Sequence, residues 1–190
     1  MAELHEEEIL KLEFEYAQKT AEQAQDDRMA IVNLYLLLVG GLGSVALALP
    51  QFSAQPAFAL PDEAYAVLFG LLGLLGFFTL LTLVRLRQAW QDSALAMNRI
   101  KQLYIEKFPD LANAFRWRAD TIPPPGKLWT ITFNLSLLVA LIDSVAMGAA
   151  AHFVEPRAMQ NDYYLEAFVS LMFLLWQMWF YFYQLPVSEK

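Results

Sequence analysis

The sequence contains no cysteine, and only two of its 190 residues are histidine. Without cysteine the chain cannot form a disulfide, a thiolate metal site, a dithiol exchange centre or an S-palmitoyl anchor. The histidines, His5 and His152, lie at distant positions, so their number and placement exclude a bis-histidine haem between helices. We therefore expect no metal and no other cofactor.

The sequence also lacks the motifs of common catalytic sites. It has no HExxH pair, no nucleophile elbow and no phosphate-binding loop, and the glycines from Gly70 to Gly76 lie within an apolar stretch. The net charge of −7 is opposite in sign to that of a typical nucleic-acid-binding surface. We expect a protein that is not an enzyme and that does not bind nucleic acid.

Long apolar stretches dominate the sequence instead, and four of them have about the 20 residues that a helix needs to cross a bilayer. These stretches are Met29–Leu49, Ala64–Val84, Leu128–His152 and Tyr163–Tyr183. The first two contain no charged residue, and the other two contain one carboxylate each. The predicted fold class is all-α: an integral membrane four-helix bundle that forms a single domain over residues 1–190.

Lysine and arginine are unevenly distributed among the segments outside these stretches. Three precede the first stretch, eight lie in residues 85–127, one lies in residues 153–162, one lies in residues 184–190, and residues 50–63 contain none. Basic residues favour the cytoplasmic side of a membrane. We therefore expect residues 1–28, 85–127 and 184–190, which include both termini, in the cytoplasm, and the two other segments outside.

The two larger cytoplasmic segments have helical apolar patterns with heptad spacing. The repeating positions are Leu10, Phe14, Ala17, Ala21 and Ala24 in the first segment, and Leu86, Trp90, Ser93, Met97, Ile100 and Tyr104 in the second. Residues 1–28 carry nine acids against three bases, and residues 85–127 carry eight bases against four acids. This charge balance favours an antiparallel pair of helices that extends from the membrane, although two independently solvated helices would give the same pattern.

Within this helical pair, the aromatic residues Phe14, Trp90 and Trp117 form our candidate surface for a cytoplasmic protein partner. Pro109 should end the second helix after Phe108, because proline disfavours a helical conformation in the residue before it. A further short helix is expected over Leu111–Trp117.

Small residues in the first two spans are candidates for close helix packing. Gly40 and Ser44 form a small-xxx-small pair in the first span, and Gly70, Gly73 and Gly76 recur at every third position in the second. Small side chains let membrane helices approach closely, and we expect these five residues to serve that purpose.

Polar residues in the last two spans are candidates for a path between the helices. Asp143 shares a helix face with Thr132 and Ser136, and Glu166 and Gln177 are likewise eleven residues apart. A carboxylate in hydrocarbon is costly, so Asp143 should face the bundle interior. The external acids would concentrate cations at the mouth of this path; they are Asp62, Glu63, Glu155 and Asp162.

Asp143 has an alternative interpretation in which it is structural. A protonated or hydrogen-bonded carboxyl group would hold the bundle together, with Asn33, Asn134 or Tyr35 as its partner. The sequence alone leaves both interpretations open.

Several segments of the sequence resemble small prokaryotic four-span proteins of unknown role. The resemblance is carried by Glu15-Tyr16-Ala17, by the run from Gln23 to Arg28 leading into Asn33-Leu34-Tyr35, by Tyr104 with Phe108-Pro109, and by Pro123-Pro124. In layout the chain is similar to the SLATT group of small membrane effectors in prokaryotic conflict systems. This resemblance implies an inner-membrane protein that forms homo-oligomers and perturbs the membrane when a sensor activates it. It transfers no catalytic residue.

Two functions follow from these patterns as hypotheses. The first is an oligomeric channel-like or pore-like effector, acting in the lipid bilayer, whose cytoplasmic helices receive a signal. The second is a membrane scaffold or assembly protein that binds a cytoplasmic partner through its helical hairpin. A small ion-coupled carrier is a weaker third hypothesis, because no inverted repeat is visible in the chain.

Overall fold

The computed structural model describes residues 6–52, 61–115, 117–118, 121–154 and 163–185, with the side chains of residues 47 and 49–52 left undescribed. Of the described residues, 89% are helical, and no strand occurs among them. The all-α prediction is therefore confirmed. This part of the chain forms four α-helices and one short 3-10 helix.

The first two helices are far longer than a membrane is thick. Helix α1 runs over Glu6–Phe52 and helix α2 over Asp62–Lys107, which are 47 and 46 residues. At 1.5 Å per residue each is about 70 Å long, roughly twice the hydrocarbon thickness of a bilayer. Each apolar span thus continues without a break into a polar helical extension, and these two extensions form a hairpin.

Helix α1 lies against α2 mainly through small side chains. Ala17, Ala21 and Ala24 are 3 to 6% exposed, and they occupy three of the heptad positions in the extension. Further along the same helix, Val32 and Tyr35 are each 2% exposed and belong to the central apolar cluster. The two predicted extensions therefore pack together rather than being separately solvated.

The segment after α2 differs from the prediction. Helix α2 ends at Lys107, and Phe108 then adopts a non-helical conformation before Pro109. A short helix is present, but it is a five-residue 3-10 helix over Pro109–Asn113 rather than a helix over residues 111–117. Short 3-10 helices of this kind are common as connecting segments.

Residues 121–130, which we call the connector, lead from the 3-10 helix region to the next α-helix. Two side chains of α2 bind the connector. Arg87 Nε donates a hydrogen bond to the carbonyl of Pro125 at 3.1 Å, and Gln91 Nε2 donates to the carbonyl of Pro123 at 3.3 Å. The prolines of the connector supply acceptors without competing donors. These bonds hold the connector along the hairpin.

Helix α3 spans Ile131–Val154 and helix α4 spans Tyr164–Gln184. Helix α3 begins three residues later than the predicted span, because Trp129 has a positive φ of 60° and Thr130 caps the helix. The Thr130 hydroxyl accepts a hydrogen bond from the Phe133 amide at 3.2 Å. Helix α4 agrees with the predicted span to within one residue at each end.

The helices pack in chain order: α2 lies between α1 and α3, and α3 lies between α2 and α4. All four are long and apolar enough to cross a membrane, which is the mark of a multi-pass membrane protein. Helices α1 and α4 bury only 17% and 11% of their most apolar stretches, compared with 39% for α2 and α3. Most of the apolar surface on the two outer helices is therefore available for lipid.

Candidate functional site

Asp143 lies in the centre of the bundle and is fully buried. Its Oδ1 atom accepts a hydrogen bond from Gln177 Nε2 on α4 at 2.8 Å, and the same amide lies 3.4 Å from the Ser144 hydroxyl oxygen. Ser144 in turn donates to the carbonyl of Ala140 within α3. This contact between a carboxyl group and an amide joins α3 to α4 across the interior.

On its other side Asp143 packs against the backbone of α2. A Cβ atom placed on Gly76 would overlap the Cβ, Cγ and Oδ2 atoms of Asp143, and one on Gly73 would lie 2.5 Å from two side-chain atoms of Met147. Glycine is therefore required at position 76 for α2 to come this close to α3, whereas a Cβ atom at position 73 would have to displace the flexible side chain of Met147. The structure brings these two predicted packing residues against the predicted polar face.

Thr132 and Ser136 are 1% and 0% exposed, so the whole predicted face of α3 is turned inward. Eleven residues separate Thr132 from Asp143, which is about 16 Å along the helix. Several polar atoms along this interior have no hydrogen-bond partner among the described residues. They are Thr132 Oγ1, Ser136 Oγ, Asp143 Oδ2, Gln177 Oε1 and the hydroxyls of Tyr35 and Tyr181. Buried polar atoms of this kind are usually satisfied by water.

The structural interpretation of Asp143 requires a correction, because none of its three predicted partners bonds to it. Asn33 and Asn134 are exposed on the outer surfaces of their helices, and the buried Tyr35 hydroxyl has no hydrogen-bond partner in the described part of the chain. Gln177 is the partner instead. Sequence reasoning had placed Gln177 on the polar path but had not paired it with the carboxyl group.

Glu166 lies apart from this group. It is the third residue of α4, and its Oε1 atom is 2.7 Å from His152 Nδ1 near the end of α3. The ring of Tyr163 stacks on His152 with their centroids 6.1 Å apart. Eleven residues, or about 16 Å of helix, separate Glu166 from Gln177. The two acids of the predicted path thus occupy different levels of the bundle.

Three of the predicted packing residues make no close helix contact among the described residues. A Cβ atom on Gly40 or Gly70 would meet none of their atoms within 4 Å. Ser44 is exposed, and its hydroxyl donates a hydrogen bond to the carbonyl of Gly40 in its own helix at 2.6 Å. Whether these three residues pack against another helix stays a prediction.

The aromatic residues of the hairpin line two different cavities. Phe14 borders a cavity of about 460 Å³ between α1, α2 and Phe115, and the ammonium group of Lys101 lies 5.9 Å from the centroid of its ring. Trp90 and Trp117 border another cavity of about 330 Å³ with Met97 and the connector. The structure therefore brings Trp90 and Trp117 together but separates them from Phe14.

Sequence reasoning missed several interior residues. Arg28 and Arg87 are 8% and 6% exposed although both carry charge, and no pattern in the sequence distinguished them from other arginines. Gly148 was also missed: a Cβ atom there would overlap the Ser170 hydroxyl, so this glycine lets α3 and α4 approach. A search for small residues in the third span would have found it.

Of the predicted external acids, Glu63 is exposed and Asp62 is half-buried at the start of α2. Glu155 and Asp162 lie outside the described residues. Within the described ranges, no three histidine, aspartate or glutamate side chains come together as metal ligands would. Comparison of the chain with protein families, with characterised proteins and with solved structures finds no match.

Proposed function

We propose that this protein is a non-enzymatic, channel-like membrane protein in which protons cross through the polar interior of the bundle. The observation that carries the proposal is the set of buried polar atoms that lack partners along α3 and α4, with Asp143 at its centre. Carboxyl, hydroxyl and amide groups inside a membrane bundle are typical of proton relays. Intervening water would complete the chain of hydrogen bonds.

The packing around Asp143 favours protons over larger ions. Gly76 lies so close to the carboxyl group that even one added methyl group would overlap it. A hydrated metal ion needs far more room than this, whereas a proton moves along groups that are already present.

An apolar layer supports a closed resting state. Val139, which lies between Ser136 and Asp143 along α3, is fully buried, and it belongs to the same apolar cluster as the fully buried Leu80 and Leu83. Apolar constrictions block conduction by excluding water. Opening would then require α2 or α3 to move.

Helix α2 is suited to transmit such a movement from the hairpin. It runs without interruption from the cavity at Trp90 to Gly76 beside Asp143, a distance of about 21 Å over fourteen residues. A partner or signal that changes the hairpin would displace the helix that packs on the carboxyl group. We place the hairpin and both termini in the cytoplasm, following the distribution of basic residues.

We further propose that the protein acts as a homo-oligomer in the inner membrane of a prokaryote, as an effector of a defence system. The support is the likeness in layout to SLATT-like effectors, together with the large apolar surfaces on α1 and α4 that adjoining copies or lipid would cover.

The test is proton flux into liposomes that contain a pH-sensitive dye, driven by a potassium diffusion potential. Val139→Ser should raise flux by admitting water to the apolar layer, and adding Asp143→Asn should abolish that increase. Glu63→Gln, an equivalent change at an exposed carboxylate, is the matched control and should leave flux unchanged. Flux in the Val139→Ser protein that does not respond to Asp143→Asn would contradict the proposal.

A scaffold function is the second candidate, and the cavity lined by Trp90 and Trp117 favours it. Trp117 is 52% exposed beside this cavity and so presents a large aromatic surface to a partner. Under this hypothesis the purified protein carries a stoichiometric partner that Trp117→Ala removes, and proton flux is absent from both proteins.

A further inference from the structure

Two arginines are buried at one level of the bundle, where the apolar spans of α1 and α2 meet the polar hairpin. Arg28 directly precedes the first apolar stretch and is 8% exposed, and Arg87 follows the second by three residues and is 6% exposed. Gln88, next to Arg87, donates a hydrogen bond to the carbonyl of Gln184 on α4 at 3.2 Å, and Tyr181 of α4 belongs to the same buried cluster as Val32 of α1 and Val84 of α2. Both arginines also act electrostatically on Tyr181, which is fully buried. Three helices therefore contribute to one buried, positively charged group.

Neither arginine has an acidic partner among the described residues. The Arg28 Nε atom is buried without an acceptor among these residues. Arg87 donates to the carbonyl of Pro125 and lies 4.6 Å from the ring centroid of Trp90. The Tyr181 hydroxyl is buried and also lacks a partner. Buried charges in proteins are normally paired, so this arrangement is costly unless an anion completes it.

The charges themselves persist despite burial. Desolvation lowers the pKa of Arg28, an effect that Tyr181 partly opposes. Desolvation also lowers the pKa of Arg87; Tyr181 opposes this effect, and the positive charge of Arg28 adds to it. Because an arginine side chain in a protein stays protonated, two like charges repel each other here.

The position of the group indicates where a compensating anion would come from. The ends of the apolar spans lie at the level of the lipid headgroups, where phosphate groups are concentrated. Helices α1 and α4 are the outer helices of the bundle, and they do not form a packed pair with each other. At this level Arg28 and Arg87 keep 8% and 6% of their surface exposed, whereas Tyr181 is fully buried, so a lipid headgroup would meet the two arginines first.

We propose that Arg28, Arg87 and the Tyr181 hydroxyl form a binding site for a phosphate group, supplied by the headgroup of an anionic phospholipid. Each planar guanidinium group can donate two hydrogen bonds to phosphate oxygens, and the Tyr181 hydroxyl can donate one more. The lipid neutralises both charges and fastens α1 to the rest of the bundle. The site is independent of whether the interior conducts protons.

Native mass spectrometry of the full-length protein in a neutral detergent tests the site. Phosphatidylglycerol should bind at least tenfold more tightly than phosphatidylcholine, and Arg28→Gln/Arg87→Gln should remove this preference. The control is Arg85→Gln/Arg99→Gln, which removes the same net charge from exposed positions on α2 and should preserve it. Equal weakening by both double variants would overturn the proposal, because overall charge would then explain binding.

Thermal unfolding supplies a second measurement and distinguishes the sources of phosphate. Phosphatidylglycerol should raise the unfolding midpoint of the native protein and of the control, whereas inorganic phosphate at the same concentration should not. Stabilisation by inorganic phosphate with none by the lipid would overturn the lipid as the source.

If the arginines had a purely structural role, replacing one of them would lower the unfolding midpoint in lipid-free detergent. If the buried charges await an anion, single Arg28→Gln should unfold no earlier than the native protein in lipid-free detergent and should gain nothing from phosphatidylglycerol. If the double variant does not fold, the native protein alone tests the proposal. Equal binding of phosphatidylglycerol and phosphatidylcholine to it would contradict the phosphate site.

Discussion

Replacement of Gly76 by alanine tests the central packing of the bundle. The added Cβ atom would overlap the Asp143 Cβ atom, which is attached to the backbone of α3 and cannot rotate away. Helices α2 and α3 must therefore separate, or Asp143 must give up its hydrogen bond to Gln177. Overpacking of this kind costs about 1–3 kcal/mol, and the immovable neighbour places Gly76 in the upper half of that range.

The same substitution at Gly70 provides a matched control on the same helix. Nothing lies within 4 Å of a Cβ atom there, so alanine meets no obstacle. The greater helix propensity of alanine is worth about 1 kcal/mol at either position. We therefore expect Gly70→Ala to stabilise the protein by up to about 1 kcal/mol and Gly76→Ala to destabilise it by about 1–2 kcal/mol.

The free energy of unfolding can be measured in mixed micelles with an increasing fraction of denaturing detergent, followed by far-ultraviolet circular dichroism. The two variants should differ by about 2–3 kcal/mol in this measurement. Equal changes at the two positions would refute the close approach of α2 to Asp143, and the polar interior would then have to be wider than the structure shows.

Two further predictions concern the contacts of α4 with α3. Gln177→Leu removes the donor that faces the Asp143 carboxyl group, so it should lower the free energy of unfolding by about 1–3 kcal/mol; an unchanged value would show that the hydrogen bond does not hold the helices together. Gly148→Ala should destabilise the bundle by about 1–3 kcal/mol because its Cβ atom overlaps the Ser170 hydroxyl. Ser170→Gly in the same protein should recover only part of this loss, since the Glu166 carbonyl oxygen would still lie 2.9 Å from the added Cβ atom. Additive effects in the double-mutant cycle would contradict the contact with Ser170.

The fold class was accessible from the sequence because membrane helices satisfy their backbone hydrogen bonds internally. An apolar stretch of about 20 residues inside a bilayer has few alternatives to a helix. The exception was the segment after Phe108, where a short helix was expected over residues 111–117 and a 3-10 helix occupies Pro109–Asn113. Local helix propensity does not account for the hydrogen bonds from α2 that hold the connector in place a few residues later.

The candidate site was only partly accessible for a different reason. Spacing along α3 places Thr132, Ser136 and Asp143 on one face, and the structure buries all three. The partner of Asp143 could not be derived in the same way, because Asn33, Asn134 and Tyr35 were as plausible as Gln177. Which residue meets the carboxyl group depends on the rotation and height of one helix relative to another.

By itself, the sequence determined that this protein is helical, that four of its segments can cross a membrane, and that an acid lies among polar neighbours on one helix face. Only the tertiary structure decided that, among the described residues, Gly73 and Gly76 pack closely while Gly40 and Gly70 do not, and that Arg28 and Arg87 are buried with no acid beside them there. The physical reason is that periodicity fixes the direction of a side chain on its own helix. The packing of all four helices together determines what that side chain meets.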